Sequence, residues 1–341
     1  MPRQLSYAEK QSLEVEMHQA FGPWVQGHAD KPGSGISLID YNPKKYPEQS
    51  IDVGVTEALT LPLPDRLAMF GLRNILLARA LGGRKVAASL VEDFKTVSSD
   101  VADLLDDGKN VALVPAHKHY ADIGIGAGAL AVAMGKNRYI KENIYQSINK
   151  LMTREKYHGI RISKYSAFTG KILWVIPSEG GKTWKVPMRA MYAVGQAAQE
   201  EFEPKLKDPE TGVLLSVALT GGALDPVRDP LRQTTVGYKF RDIPTSVGAT
   251  LVDYDAVIPF AFEKDTNESA RWEIGEIIKP PPIDRQENPK EAGLIYTDMA
   301  YLKLQEMMER LLRMPVSYQP ISALGKAALA GITSRESYQE L

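Results

Sequence analysis

Residues 111–134, VALVPAHKHYADIGIGAGALAVAM, decide how the chain is read. Val111 to Val114 form a short, continuously apolar run of the kind that a strand buried on both faces requires, and Pro115 bounds it. The glycines and alanines from Gly124 onward suit a helix that packs closely on a sheet. Between strand and helix lies a polar turn carrying His117, Lys118, His119 and Asp122. In an α/β layer, a turn just past the carboxyl end of a strand lies at the sheet edge where ligands bind. An imidazole acts as a general base near neutral pH only when its tautomer and orientation are fixed, and a neighbouring carboxylate does this by accepting its other N–H. His117 is therefore the candidate base and Asp122 its orienter. Two other readings of these residues stay open: Asp122 as the N-cap of the following helix, and His119, nearer in sequence, as the paired imidazole.

Further along the chain the pattern repeats. Residues 172–176 (ILWVI), 213–219 (VLLSVAL) and 256–262 (AVIPFAF) are continuous apolar runs, and a helical segment is expected over 188–202. Short apolar strands alternating with helices imply an α/β fold with a mostly parallel central sheet flanked by helices. Upstream, Ser6 and Glu9 form a capping-box pair opening a helix to about residue 20, and an irregular stretch covers 22–56. Amphipathic helices follow over 64–81, ending at Gly82-Gly83, and over 86–105. The expected organisation is a helical N-terminal region, 1–104, ahead of an α/β domain, 105–341. A last periodic helix is expected over 298–313, with Met299, Leu302, Met307 and Leu311 on one face.

The turns after these runs supply further candidates. Thr220, Gly221 and Gly222 follow a strand, and their backbone N–H groups suit an anion, as they equally suit an ordinary tight turn. Arg228 and Arg232 add cationic groups a few residues on. PSEGGKT, 177–183, has Lys182 and Thr183 in P-loop order, but Ile176 stands where that motif needs its first glycine, so a nucleotide-binding transferase is a secondary reading. The glycines at 124, 126 and 128 are not spaced as a dinucleotide fingerprint. Lys156 and Lys171 are candidate anion contacts by position alone.

Composition excludes several classes. With 41 basic against 42 acidic residues in 341, and 44% hydrophobic residues, the chain reads as a globular protein with no global field, which gives no reason to expect a nucleic-acid partner. It has no cysteine, which rules out a thiol nucleophile and a thiolate metal site. No apolar run approaches the roughly 20 residues that span a bilayer, and the N-terminus has no signal-like core. The expected compartment is the cytoplasm, with any membrane contact peripheral.

The order of these blocks resembles the glycerolipid acyltransferase superfamily, which includes glycerol-3-phosphate and lysophosphatidate acyltransferases. That family's first motif is His, any four residues, Asp, matched by His117-Lys118-His119-Tyr120-Ala121-Asp122. Its second block is similar to Gly170-Lys171-Ile172-Leu173-Trp174-Val175-Ile176, its third to Val217-Ala218-Leu219-Thr220-Gly221-Gly222, and its fourth to Val257-Ile258-Pro259-Phe260-Ala261. The Gly-Gly pair lacking a preceding glutamate is closest to the soluble plastid-type glycerol-3-phosphate acyltransferases. Two positions depart from the pattern. The basic residue closing the second block is absent at Pro177-Ser178, with Lys182 the candidate substitute, and the arginine after Gly-Gly is Ala223, leaving Arg228 or Arg232. The resemblance implies direct transfer of an acyl group from an acyl carrier protein or coenzyme A thioester to glycerol 3-phosphate or a similar acceptor. His117 would act as general base, without metal or redox cofactor and without a covalent acyl-enzyme. A catalytically silent acyl- or lipid-binding protein on the same fold is the remaining alternative.

Overall fold

Successive side chains of a strand point to opposite faces, so a strand covered on both sides must be apolar at nearly every position. Among the described residues three strands are buried throughout: β2 (Val111–Pro115) at all five positions, β7 (Val213–Ser216) at all four and β10 (Ala256–Glu263) at all eight. This computed structural model describes residues 59–60, 74–118, 122–135, 143–149, 156–157, 160–161, 171–175, 202–220, 224–264 and 270–329.

The architecture is α/β. The main sheet also contains β1 (Leu59–Thr60), β3 (Asn143–Asn149), β6 (Lys171–Val175) and β11 (Arg271–Ile274), in the order β1-β6-β3-β7-β2-β10-β11. From β6 to β10 every neighbouring pair is parallel, while β1 and β11 close the two edges antiparallel. A separate hairpin pairs β4 (Lys156–Tyr157) with β5 (Ile160–Arg161). A second, three-stranded sheet joins β8 (Asp225–Arg228), β9 (Thr235–Lys239) and β12 (Val316–Ser317).

Alternation along the strands divides the interior into two cores. Val111, Leu113, Ile258 and Phe260 face helices α1 (Arg84–Asp106) and α2 (Asp122–Met134), meeting Leu90, Phe94 and Val101 of α1. Ala112, Val114, Val257 and Ala261 face the other way, onto α3 (Pro289–Leu312) through Tyr296, Ala300, Tyr301 and Leu304. Helix α1 runs through the 104/105 boundary, and its buried face shares a core with the sheet, so the described end of the helical N-terminal region is part of the α/β body. A short helix, α4 (Ala323–Leu329), ends the described chain.

Helix α2 is buried on nearly all sides, and its small residues are what allow this. A Cβ added at Gly126 would come within 2.8 Å of Phe260 Cδ1 and 3.1 Å of Leu113 Cδ2. Gly126→Ala should therefore destabilise the fold by about 1–3 kcal/mol through overpacking, although alanine is the better helix former by about 1 kcal/mol. Denaturant unfolding reads the sign directly, and a stabilised variant would show that α2 has room to spare.

Several elements differ from the sequence expectations. β6 covers 171–175 rather than 172–176. β7 ends at Ser216 rather than at 219: the Val217 N–H still donates to the Leu113 carbonyl of β2 at 3.0 Å, but the N–H groups of Leu219 and Thr220 turn to the Tyr301 hydroxyl. β3 was not expected at all: NIYQSIN has no apolar run, yet it lies between β6 and β7 and pairs with both. Helix α3 begins nine residues earlier than the periodicity indicates, at Pro289 in the first turn after Asn288, a start signal that hydrophobic spacing alone overlooks. Residues 74–81 and 202–206 are helical. The helix expected over 6–20, the beginning of the one over 64–81 and most of that over 188–202 lie outside the described residues.

Candidate functional site

The chain leaves β2 to α2, on one face of the sheet, and leaves β7 towards β10 by way of the other. Adjacent parallel strands whose connections part in this way open a crevice at their carboxyl ends. The His117 turn follows β2 and Thr220 follows β7, so both lie at this crevice.

The sheet continues one residue past β2, where the Ala116 N–H donates to the Phe260 carbonyl at 2.9 Å. The backbone then turns at His117, whose φ of 49° is left-handed. That conformation costs an L-residue about 1–2 kcal/mol, and histidine is among the residues that adopt it most readily. The turn is pinned from across the crevice, since the Leu224 N–H donates to the His117 carbonyl at 3.1 Å. Bent back in this way, His117 places Nδ1 2.9 Å from Asp122 Oδ1, with the histidine 9% and the aspartate 1% exposed. The same carboxylate oxygen accepts the Ile123 N–H at 2.7 Å, at the start of α2. Asp122 thus contacts the imidazole and, as the first residue of α2 rather than its N-cap, also accepts the N–H of its neighbour Ile123. A protonated Nδ1 donating to Asp122 leaves Nε2, on the far side of the ring, as the basic nitrogen. Ser216, the last residue of β7, fastens the helix start from the other strand, donating from Oγ to the Ile123 carbonyl at 2.9 Å.

Three residues to which the sequence reading assigns no role, Lys118, Glu263 and Tyr301, complete the surroundings. Lys118 Nζ lies 2.5 Å from Glu263 Oε2 and 4.8 Å from the centre of the Tyr238 ring, an ion pair and cation–π contact directly beside His117. Glu263 ends β10 and is 2% exposed; a lone carboxylate closing the apolar run AVIPFAF was the available signal. Tyr301, fully buried on α3, accepts the Leu219 N–H at 3.0 Å and the Thr220 N–H at 3.3 Å. Burial pushes its phenol well above the usual tyrosine range, so the ring stays neutral. Tyr301→Phe leaves two buried N–H groups unpaired and should cost about 1–3 kcal/mol, with faster hydrogen exchange at Leu219 and Thr220. Unchanged exchange at those amides would mean the hydroxyl does not hold the turn.

Of the residues expected at the site, the structure brings together His117, Asp122 and Thr220, the last of them 3% exposed. Arg228 and Arg232 are carried away on the β8–β9 hairpin, Arg228 at the far end of β8 and Arg232 in the turn beyond it, both exposed. Lys171 opens β6, at the edge of the parallel sheet opposite His117. Lys156 lies in β4, where only its backbone is described. His119, Gly221, Gly222 and the PSEGGKT turn with Lys182 lie outside the described residues. Among the described residues no cluster of histidine, aspartate and glutamate could hold a metal ion, and no helix is long and apolar enough to cross a membrane. Compared with known proteins, the chain matches no family model and no curated sequence.

Proposed function

We propose that the protein is an acyltransferase that moves a fatty acyl group from an acyl carrier protein or coenzyme A thioester to the hydroxyl of glycerol 3-phosphate or a related acceptor. The observation that carries this reading is the buried His117–Asp122 pair at the carboxyl edge of the parallel sheet, within a His-x-x-x-x-Asp spacing. His117 Nε2 takes the proton of the acceptor hydroxyl as its oxygen attacks the thioester carbon. Asp122 accepts the Nδ1–H throughout and stabilises the imidazolium that forms. Collapse of the tetrahedral intermediate breaks the C–S bond, and the imidazolium returns its proton to the departing thiolate. The acyl group passes directly to the acceptor, consistent with a chain that has no cysteine. The N–H groups of Leu219 and Thr220 are bonded to Tyr301, so the candidates for holding the developing oxyanion are the backbone N–H groups of Gly221 and Gly222, which lie outside the described residues. The reading carries with it a role in glycerolipid synthesis at a cytoplasmic location.

The test is acyl transfer by the full chain from palmitoyl-acyl carrier protein or palmitoyl-coenzyme A to a panel of hydroxyl acceptors that includes glycerol 3-phosphate. Turnover with one donor–acceptor pair, saturable in both, is the expected result and names the acceptor. Folded protein that turns over no member of the panel overturns the reading and leaves the fold as a binding scaffold.

A further inference from the structure

The β8–β9 hairpin is the one part of the described second sheet whose exposed residues combine apolar and cationic side chains. Its turn, Asp229 to Thr234, is closed by its own bonds: the Asp229 N–H donates to the Thr234 carbonyl at 2.9 Å and the Gln233 N–H to the Asp229 carbonyl at 2.8 Å. The Asp229 carboxylate accepts the N–H groups of Leu231 and Arg232 at 2.8 and 3.1 Å. This internal bonding holds Leu231 outward with 93% of its surface exposed. Val227 and Val236 flank it at 43% and 47%, and Met314, just ahead of β12, adds a further apolar group at 38%. A leucine fixed in water by an ordered turn gains nothing for the fold.

The charges around it are sorted. Asp225 is paired with Arg241 at 2.9 Å, Asp242 lies 3.8 Å from Lys239, and Asp229 is bonded to its own turn. Arg228 and Arg232, both exposed, form no ion pair among the described residues, so the cations nearest the apolar tip are the uncommitted ones. An apolar tip flanked by unpaired arginines is complementary to a surface with an anionic outer layer and an apolar interior. We propose that the β8–β9 hairpin is a membrane-docking element, with Leu231 entering the interface of an anionic bilayer while Arg228 and Arg232 meet lipid phosphates. The base of the hairpin is tied to the site by the Leu224–His117 backbone bond and by Tyr238 under Lys118, so docking would hold the His117 edge close to the bilayer. The inference makes no use of the reaction proposed for His117.

The test is co-sedimentation of the full chain with vesicles of phosphatidylcholine alone or mixed with phosphatidylglycerol. Binding to the anionic vesicles, weakened by salt, is expected. Leu231→Asp should lower the partition coefficient about tenfold or more, and the double variant R228Q/R232Q by a similar factor at low salt. Leu329→Asp, at another leucine, 68% exposed, should change nothing. All three variants alter surface residues, and far-ultraviolet circular dichroism checks that each remains folded. The proposal is overturned by absence of wild-type binding, by Leu231→Asp binding like wild type, or by equal losses in Leu231→Asp and Leu329→Asp. Hairpin-dependent binding to acyl carrier protein without vesicle binding would also overturn it, assigning the patch to a protein.

Discussion

Substituting His117 with asparagine lowers acyl transfer by about 10²–10⁴-fold, the contribution typical of a positioned general base, while leaving the protein folded. Asparagine is chosen because the φ of 49° at this position strains most side chains, and asparagine, like histidine, tolerates the left-handed region. Its amide also offers Asp122 a hydrogen-bond donor, so the buried carboxylate keeps a partner. His117→Ala would add a backbone penalty and leave Asp122 short of its imidazole, mixing a folding defect into the kinetic loss. The expected signature is a fall in kcat with a comparatively small change in KM, at unchanged denaturation midpoint. Asp122→Asn should also reduce kcat, because an amide no longer stabilises the imidazolium. His119→Ala retaining activity while His117→Asn loses it would establish His117 as the base. The reverse pattern would move the role to His119, and turnover within twofold of wild type in both variants would remove the histidine mechanism altogether.

The largest expected loss of stability lies away from the site, at Asp298. This residue of α3 is fully buried, and its carboxylate accepts the Tyr318 hydroxyl at 2.7 Å, the Ile321 N–H at 2.9 Å, the Ser322 N–H at 3.0 Å and the Ser322 hydroxyl at 2.5 Å. Removing the acceptor strands several buried donors at once, so Asp298→Ala should cost about 3–5 kcal/mol, near the upper end for single substitutions. The effect should reach the site. Tyr318 stacks on Tyr301 with ring centres 5.3 Å apart, and Tyr301 holds the Leu219–Thr220 backbone. Asp298→Asn keeps the shape and one acceptor oxygen, and an intermediate loss is expected from it. Urea unfolding of the three proteins gives the comparison. A loss under 1 kcal/mol in Asp298→Ala would mean that the 316–329 segment contributes little to the packing of α3.

How far the site could be read in advance follows from the range of the interactions involved. The His117–Asp122 pair spans five positions within one turn, so spacing and chemistry sufficed to propose it, and the structure places the two side chains in contact, with Asp122 inside the first turn of α2. Lys118 and Glu263 are 145 positions apart, and no local pattern couples them; only the parallel pairing of β2 with β10 brings them together. Arg228 and Arg232 were drawn to the site by nearness in sequence to Thr220. Residues 225–228 form β8, which carries Arg228 and the turn with Arg232 outward, and polar, proline-containing DPVR does not announce this strand.

What the amino-acid order determined by itself was the set of strands buried on both faces, because burial on two sides leaves a continuous apolar run such as VALVP or AVIPFAF, and the polar turn that must follow β2. The tertiary structure decided the rest. It inserted β3, whose polar sequence becomes a strand between two strands that satisfy its backbone, and it set β7 beside β2 with their connections leaving on opposite faces. Strand order and the crevice it creates arise from contacts between residues far apart in the chain, and periodicity, being a local property, carries no record of them.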